Sequence, residues 1–303
     1  MSNNPALNDQ ILKREAQASG RGGFSPAWGS PADELPPGVF GVPPQAGPAG
    51  GTVPPPPDHR QRGPVEGAAT MTVGGSLVAT AVLLAIVAVA FVFGWSLVKP
   101  TYGPVMPDGT QSVDPNVPGW LILLTLAGLG IAIFNAFKPR YSVIAGPVYA
   151  LLMGTVLGAW SHAYESIWDG IVVQAVAATL AVFTVMLGLY ATRVIRVTDR
   201  LRSTIVAATG GILVLYLVAI GLRLLFDVEV PFLNDSGPLG ILLSVAICGI
   251  AAFNLLLDFD FIEQGTRMGA PRYMEWYAAF GLMTSLVWLY LEILRLLAKL
   301  RDR

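Results

Sequence analysis

The residues best suited to chemistry lie in one stretch, Asn254-Leu-Leu-Leu-Asp258-Phe-Asp260-Phe-Ile-Glu263. Three carboxylates stand there at the end of a long apolar run, which sets them at the edge of a lipid bilayer. A charged side chain at mid-depth in a transmembrane helix costs about 2.5–3.5 kcal/mol on insertion scales, and much less near the boundary. A carboxyl at that edge keeps or loses its charge with modest changes around it, so the chemistry on offer is a proton-controlled switch. Asp258 and Asp260 are two residues apart, which turns them about 200° from each other around a helix. They are therefore not a proton-sharing pair on one regular helix. Asp258, nearer the membrane, is the candidate gate and pH sensor, with Asp260 beside it. The plainer alternative is that both simply end the helix at the interface.

A switch of this kind needs a cation. Lys138 and Arg140 fall at the same predicted membrane boundary and are the latch candidates. A nearby cation favours the charged carboxylate while burial favours the neutral one, and the balance between them would set the latch. Two cations in an inner loop are also what the positive-inside rule predicts without any latch. Glu292 is the other conspicuous acid, 16 residues past Trp276 in the last apolar run. At 1.5 Å per residue that is roughly 24 Å along a helix, across the membrane from Asp258. Arg295 at i+3 and Arg223 on the same side are its expected partners. Asn135, Gln174, Asn254 and Tyr149 read as interhelical hydrogen bonders or interface anchors, and His162 as a solvated interfacial histidine. Trp120, Trp160, Trp168 and Trp276 fit aromatic belts.

Catalytic signatures are missing. There is no Walker loop, no HExxH, no nucleophile elbow and no haem-type histidine pair, and the last helix lacks the central lysine of a retinal protein. The expectation is a protein that is not an enzyme and carries no cofactor. One cysteine, Cys248 in an apolar run, and two histidines make a structural zinc site improbable.

The elements that must position these groups are membrane helices. Of 303 residues 53% are hydrophobic and 13% charged, about half the charged share of a soluble domain. Residues 1–70 stand apart, with 13 of the 23 prolines and many glycines. Such a segment cannot bury enough surface to offset its ordering entropy, so a disordered cytoplasmic tail is expected. Its polar first twenty residues predict no cleavable signal peptide. Residues 71–300 hold seven apolar stretches, each near the roughly 20 residues that cross the hydrocarbon. They run 73–98, 119–137, 143–162, 171–192, 203–225, 238–258 and 276–298, predicting an all-α, seven-transmembrane bundle. Lys and Arg gather in the second, fourth and sixth loops, while the third and fifth carry Glu165, Asp169, Asp227, Glu229 and Asp235. That predicts a cytoplasmic N-terminus and an outside C-terminus in the cell membrane, against which Lys299, Arg301 and Arg303 dissent. Gly154-Thr-Val-Leu-Gly158 is a GxxxG packing signal, and Gly210-Gly211 predicts a close-packing face on the fifth helix. A net charge of −1 gives no support for nucleic-acid binding.

The layout resembles the Bax inhibitor-1 (YccA-like) family of membrane proteins. The likeness rests on seven spans, an Asp-bearing end to helix six, a short polar loop and a last helix reading Leu289-Tyr-Leu-Glu-Ile-Leu-Arg295. Lys138-Pro-Arg-Tyr-Ser-Val-Ile-Ala-Gly-Pro-Val-Tyr149 resembles the family's start of helix three. It covers about 71–300; the Pro-rich tail falls outside it and looks like an actinobacterial-type extension. The resemblance implies six helices around a hydrophobic seventh and, in some members, a pH-sensitive calcium leak. In those members an aspartate ending helix six shares a proton with one in helix seven, latched by an arginine near helix two. Asp258 matches the first aspartate, Lys138 or Arg140 would stand in for the latch, and Ser285 occupies the second position. A serine supplies no carboxylate. Two functions therefore stand side by side. One is a pH-gated cation (calcium) leak with Asp258 as gate. The other is a non-conducting protein that modulates a membrane-protein partner, such as a membrane protease or a stress response.

Overall fold

A computed structural model describes residues 70–105, 111–226 and 235–302. The Pro-rich tail up to residue 69, the acids Asp227 and Glu229, and Arg303 lie outside the described residues. Seven α-helices follow one another among those described. They are α1 (Val73–Leu97), α2 (Leu121–Phe137), α3 (Ser142–Ile167), α4 (Ile171–Ala191), α5 (Asp199–Phe226), α6 (Pro238–Arg267) and α7 (Met274–Arg301). Six are long and apolar enough to cross a membrane. The exception is α2, whose 17 residues rise about 25 Å against a hydrocarbon core about 30 Å thick. Between α1 and α2 lies a connection outside the predicted spans. A small antiparallel hairpin stands there, β1 (Thr101–Val105) and β2 (Gln111–Asp114), with Thr101 opposite Asp114 and Tyr102 opposite Val113.

The core forms where α1, α3, α6 and α7 meet, around Leu83, Ala150, Leu255, Leu256, Leu282, Met283 and Leu294, all fully buried. The last helix packs against α1, α3, α4 and α6, while α2 rests mainly on α3 and α5 on α6. Very little of α5 is buried within the protein. Its outward Val206, Val214 and Val218 are what a helix standing in lipid presents. The firmest contact is α1 on α3, and it is made by glycines. A Cβ on Gly158 would lie 1.9 Å from the Phe91 carbonyl oxygen, and one on Gly94 would lie 2.0 Å from that of Thr155. Only residues without a side chain let two helix backbones come so close. The second glycine signal turns out differently, because a Cβ at Gly210 or Gly211 would meet nothing within 4 Å. The expected close-packing face on α5 is open among the described residues.

The larger correction concerns α6. The apolar run ends near Asp258, but the helix continues to Arg267, so Asp258 lies within the helix rather than at its end. Hydropathy marks the lipid slab, and a helix can leave the slab intact. Phe259 and Ile262 keep one face buried. Gln264 Nε2 donates to Asp260 Oδ2 at 2.6 Å, and Arg267 pairs with Glu263, both at i,i+4 spacing. The stop comes at Gly269, whose φ of 64° is the left-handed conformation glycine adopts freely. There Gly269 N–H donates to the Thr266 carbonyl and Ala270 N–H to that of Gly265, closing a Schellman cap.

A clasp ties the first helix to the last. Thr72 N–H and Thr72 Oγ1–H donate to Glu275 Oε1 at 2.9 and 2.8 Å, so a buried carboxylate from α7 sits on the start of α1. A carboxylate is well placed there, because the helix N-terminus carries unpaired N–H groups and positive dipole charge. Met71 N–H donates to the Ala270 carbonyl at 2.7 Å, pinning the chain ahead of α1 against the α6–α7 turn.

Candidate functional site

The candidate site is the contact between α6 and α7, which run antiparallel through the core. Asp258 projects from α6 towards α7. A Cβ on Gly281 would come within 3.0 Å of its Oδ1, and Ser285, one turn further, presents its hydroxyl to the same carboxyl. Oδ2 is buried and makes no hydrogen bond among the described residues. On the same stretch of α7, Tyr149 of α3 packs edge-to-face on Phe280 at 4.9 Å between ring centres, with Thr284 beside its hydroxyl. The arrangement is a carboxyl inside a helix contact, facing a glycine and a serine, with no cation paired to it among the described residues. An unsatisfied buried oxygen costs about 1–3 kcal/mol, more when charged. Such a group can take up or release a proton, or accept a cation that reaches it.

Lys138 and Arg140 do not reach it. Both are exposed, at the turn between α2 and α3, and neither forms an ion pair among the described residues. The carboxylates that do have cations are the next two along α6. Asp260 turns away from α7 and accepts from Arg202 of α5 at 2.5 Å. Glu263 accepts from the Tyr190 hydroxyl of α4 and pairs with Arg267 and, at 3.9 Å, with Arg193. This network joins α4, α5 and α6 where α6 leaves the slab, and it lines a recess of about 220 Å³ with Arg196 and Gln264. Sequence reasoning missed these partners. The only signal for them was the arginine density between α4 and α5.

Glu292 stands two turns beyond Ser285 on α7 and is almost fully buried. It is well supplied. The Tyr216 hydroxyl of α5 donates to its Oε1 at 2.7 Å and Trp288 Nε1 at 3.1 Å. Arg295 Nη1 lies 3.4 Å from both oxygens. Arg295 also donates to the Tyr216 oxygen at 2.6 Å and sits over that ring, 5.1 Å from its centre. Arg295 is one of the two expected partners; the other, Arg223, is exposed on α5. Of the remaining polar candidates Gln174 is exposed on α4, and three others are hydrogen-bonded. Ser142 Oγ–H donates to Asn135 Oδ1 at 2.7 Å, Asn254 Nδ2 donates to Thr209 Oγ1 at 2.8 Å, and His162 stacks on Trp95 with Nδ1 2.8 Å from its carbonyl oxygen. Among the described residues no three His, Cys, Asp or Glu side chains gather to hold a metal ion.

A protein-family model described as Bax inhibitor 1 like matches residues 4–302. The match takes in the Pro-rich tail, which the sequence reading had placed outside the likeness. Searches of the curated proteins and of the solved structures give no match.

Proposed function

Because the chain belongs to the Bax inhibitor 1 like family, we propose that this multi-pass membrane protein is a pH-sensitive cation leak, with calcium as the ion and Asp258 as the gate. It has no enzymatic chemistry in this reading. The seven helices, α2 included, cross the cell membrane with the N-terminus in the cytoplasm and the C-terminus outside, as the loop cations suggest. The observation that carries the proposal is the state of Asp258. Its carboxyl is held in the α6–α7 contact with one oxygen unpartnered and no cation beside it. Neutral, it fits between Gly281 and Ser285; charged, it calls for water or a cation, and the contact must open to admit either. In this scheme the acids two and five residues further towards the α6 terminus, Asp260 and Glu263, act as a fixed brace through Arg202, Arg193 and Arg267.

The test is calcium flux into proteoliposomes across a pH series, for the wild type and Asp258→Asn. The expected result is a pH-dependent flux in the wild type that the variant makes constitutive or abolishes. Absence of flux at every pH, from protein shown to be folded, would overturn the leak. One observation favours the second reading, a non-conducting modulator of a membrane-protein partner: Ser285 supplies no second carboxylate for a shared proton. That reading expects Asp258→Asn to be silent, while changes in the tail and loops abolish partner capture.

A further inference from the structure

The far end of α7 holds a buried ammonium without a counter-ion. Lys299 is 6% exposed, and its Nζ donates to the Gly240 carbonyl at 3.1 Å and to Ser244 Oγ at 2.9 Å. Both acceptors are neutral. An ammonium has three donors, and no carboxylate lies within ion-pair distance of this one among the described residues. Cations in the last turn of a helix complement its dipole, but that account suits an exposed side chain such as Arg301. Lys299 is instead folded back against the first two turns of α6, the positive end of that helix, where a cation is disfavoured. Arg295 stands one turn away on the same face.

These two cations line one recess of about 220 Å³, together with Tyr164, Trp168, Ser236 and Asp302. Its volume is below the about 300–1,000 Å³ of a small-molecule pocket, and it suits a single headgroup-sized anion. Tyr164 and Trp168 stack along its wall with ring centres 6.0 Å apart, the aromatic pair expected at a membrane–water boundary. Three acids stand nearby: Asp235, beside Gly237 and Gly240, acts on Lys299 from beyond ion-pair distance, and the other two are hydrogen-bonded. Glu292 is bound by Tyr216, Trp288 and Arg295, and Asp302 Oδ2 accepts from the Ser236 hydroxyl at 2.8 Å. The geometry points to a phosphate-oxyanion site at this end of the bundle, in which Lys299 and Arg295 take either the phosphodiester of an anionic phospholipid or a free phosphate.

The full chain, freed of phospholipid in detergent, is titrated with inorganic phosphate, with phosphatidylglycerol and with phosphatidylcholine. Bound ligand is counted by native mass spectrometry, and the unfolding midpoint is followed by tryptophan fluorescence. Phosphatidylglycerol or phosphate should bind the wild type and raise its midpoint. Lys299→Met should weaken that binding about tenfold or more, since a charge-assisted hydrogen bond is lost, and Lys299→Arg should restore most of it. Saturation by phosphatidylglycerol with no response to phosphate identifies the lipid headgroup; a response to phosphate that lipid does not outcompete identifies the free anion. Asp302→Asn, which leaves Lys299 intact, should tighten binding. No binding of either anion, or equal binding by wild type, Lys299→Met and Asp302→Asn, overturns the site. Tighter binding of a cation by Lys299→Met would do the same. Should Lys299→Met fail to fold, Asp302→Asn decides alone: tighter supports the site, unchanged overturns it.

Discussion

Replacing Gly158 by alanine is the sharpest test of the fold that holds the site. The new methyl would stand 1.9 Å from the Phe91 carbonyl oxygen and 2.8 Å from the Trp95 nitrogen. Both are backbone atoms of α1, so no side chain can swing aside. An ordinary C···O approach is about 3.3 Å or more, and α1 and α3 must part by more than about 1 Å. A gap of that size forfeits a quarter to a half of the dispersion energy along the contact. It also pulls apart the paired approach of Gly94 to Thr155 and of Gly154 to Val87. Overpacking of this kind costs about 1–3 kcal/mol, and the better helix propensity of alanine returns about 0.5–1. A net loss of about 1–2 kcal/mol is expected. Gly211→Ala is the matched control, because its methyl enters open space on α5 and should be neutral or stabilising by up to about 1 kcal/mol. Reversible unfolding in mixed micelles, followed by tryptophan fluorescence, measures both. Equal stability of Gly158→Ala and wild type, or an equal loss in the two variants, would refute the close approach of α1 and α3.

The remaining predictions concern the start and the middle of α7. Glu275→Ala removes two hydrogen bonds to a charged acceptor and should cost about 2–4 kcal/mol. Gly75→Ala, whose methyl would lie 2.1 Å from Glu275 Oε1, should act through the same clasp, so the double variant should lose little more than either single one; full additivity in a double-mutant cycle would separate them. Ser285→Asp sets a second carboxyl against Asp258 and, in the leak reading, should move the pH of half-maximal flux by about one unit or more; an unmoved pH profile would count against the α6–α7 contact as the gate.

What the sequence made legible was the slab and little of what joins the helices within it. Six of the spans follow from unbroken apolar runs, because nothing else stabilises 20 such residues in a row. The end of α6 was illegible, since its last nine residues are held by i,i+4 pairs and a glycine cap rather than by hydropathy. Glycine spacing marked Gly154 and Gly158 correctly as packing residues, yet gave Gly210 and Gly211 the same reading. The difference lies in whether a neighbour arrives, which is a property of the whole bundle. Cations were likewise visible as loop density, but Lys138 and Arg140 could not be told from Arg202 without knowing that the start of α5 lies against the end of α6. Glu275, one acid in a short polar turn, gave no signal at all. Its role exists only because α1 begins beside it.

Asp258 and Glu292, at the α6–α7 contact and further along α7, differ in what surrounds each. Ser285, Trp288, Glu292, Arg295 and Lys299 recur at three- and four-residue spacing, so one face of α7 carries polar groups from the core to its end. Around Glu292 the charges have partners: the carboxylate has a hydroxyl, an indole and a guanidinium, and α5 is drawn in through Tyr216. A satisfied network of that kind is rigid, because moving any member strands the others in low dielectric. At Asp258 the supply is deficient, with a serine, a glycine and one bare oxygen. In the leak reading, a bundle anchored around Glu292 and under-satisfied at Asp258 opens at the α6–α7 contact. Asp260 and Glu263 hold α4, α5 and α6 together towards the α6 terminus, so in that reading an opening is confined to the α6–α7 contact and leaves the α4–α5–α6 network standing.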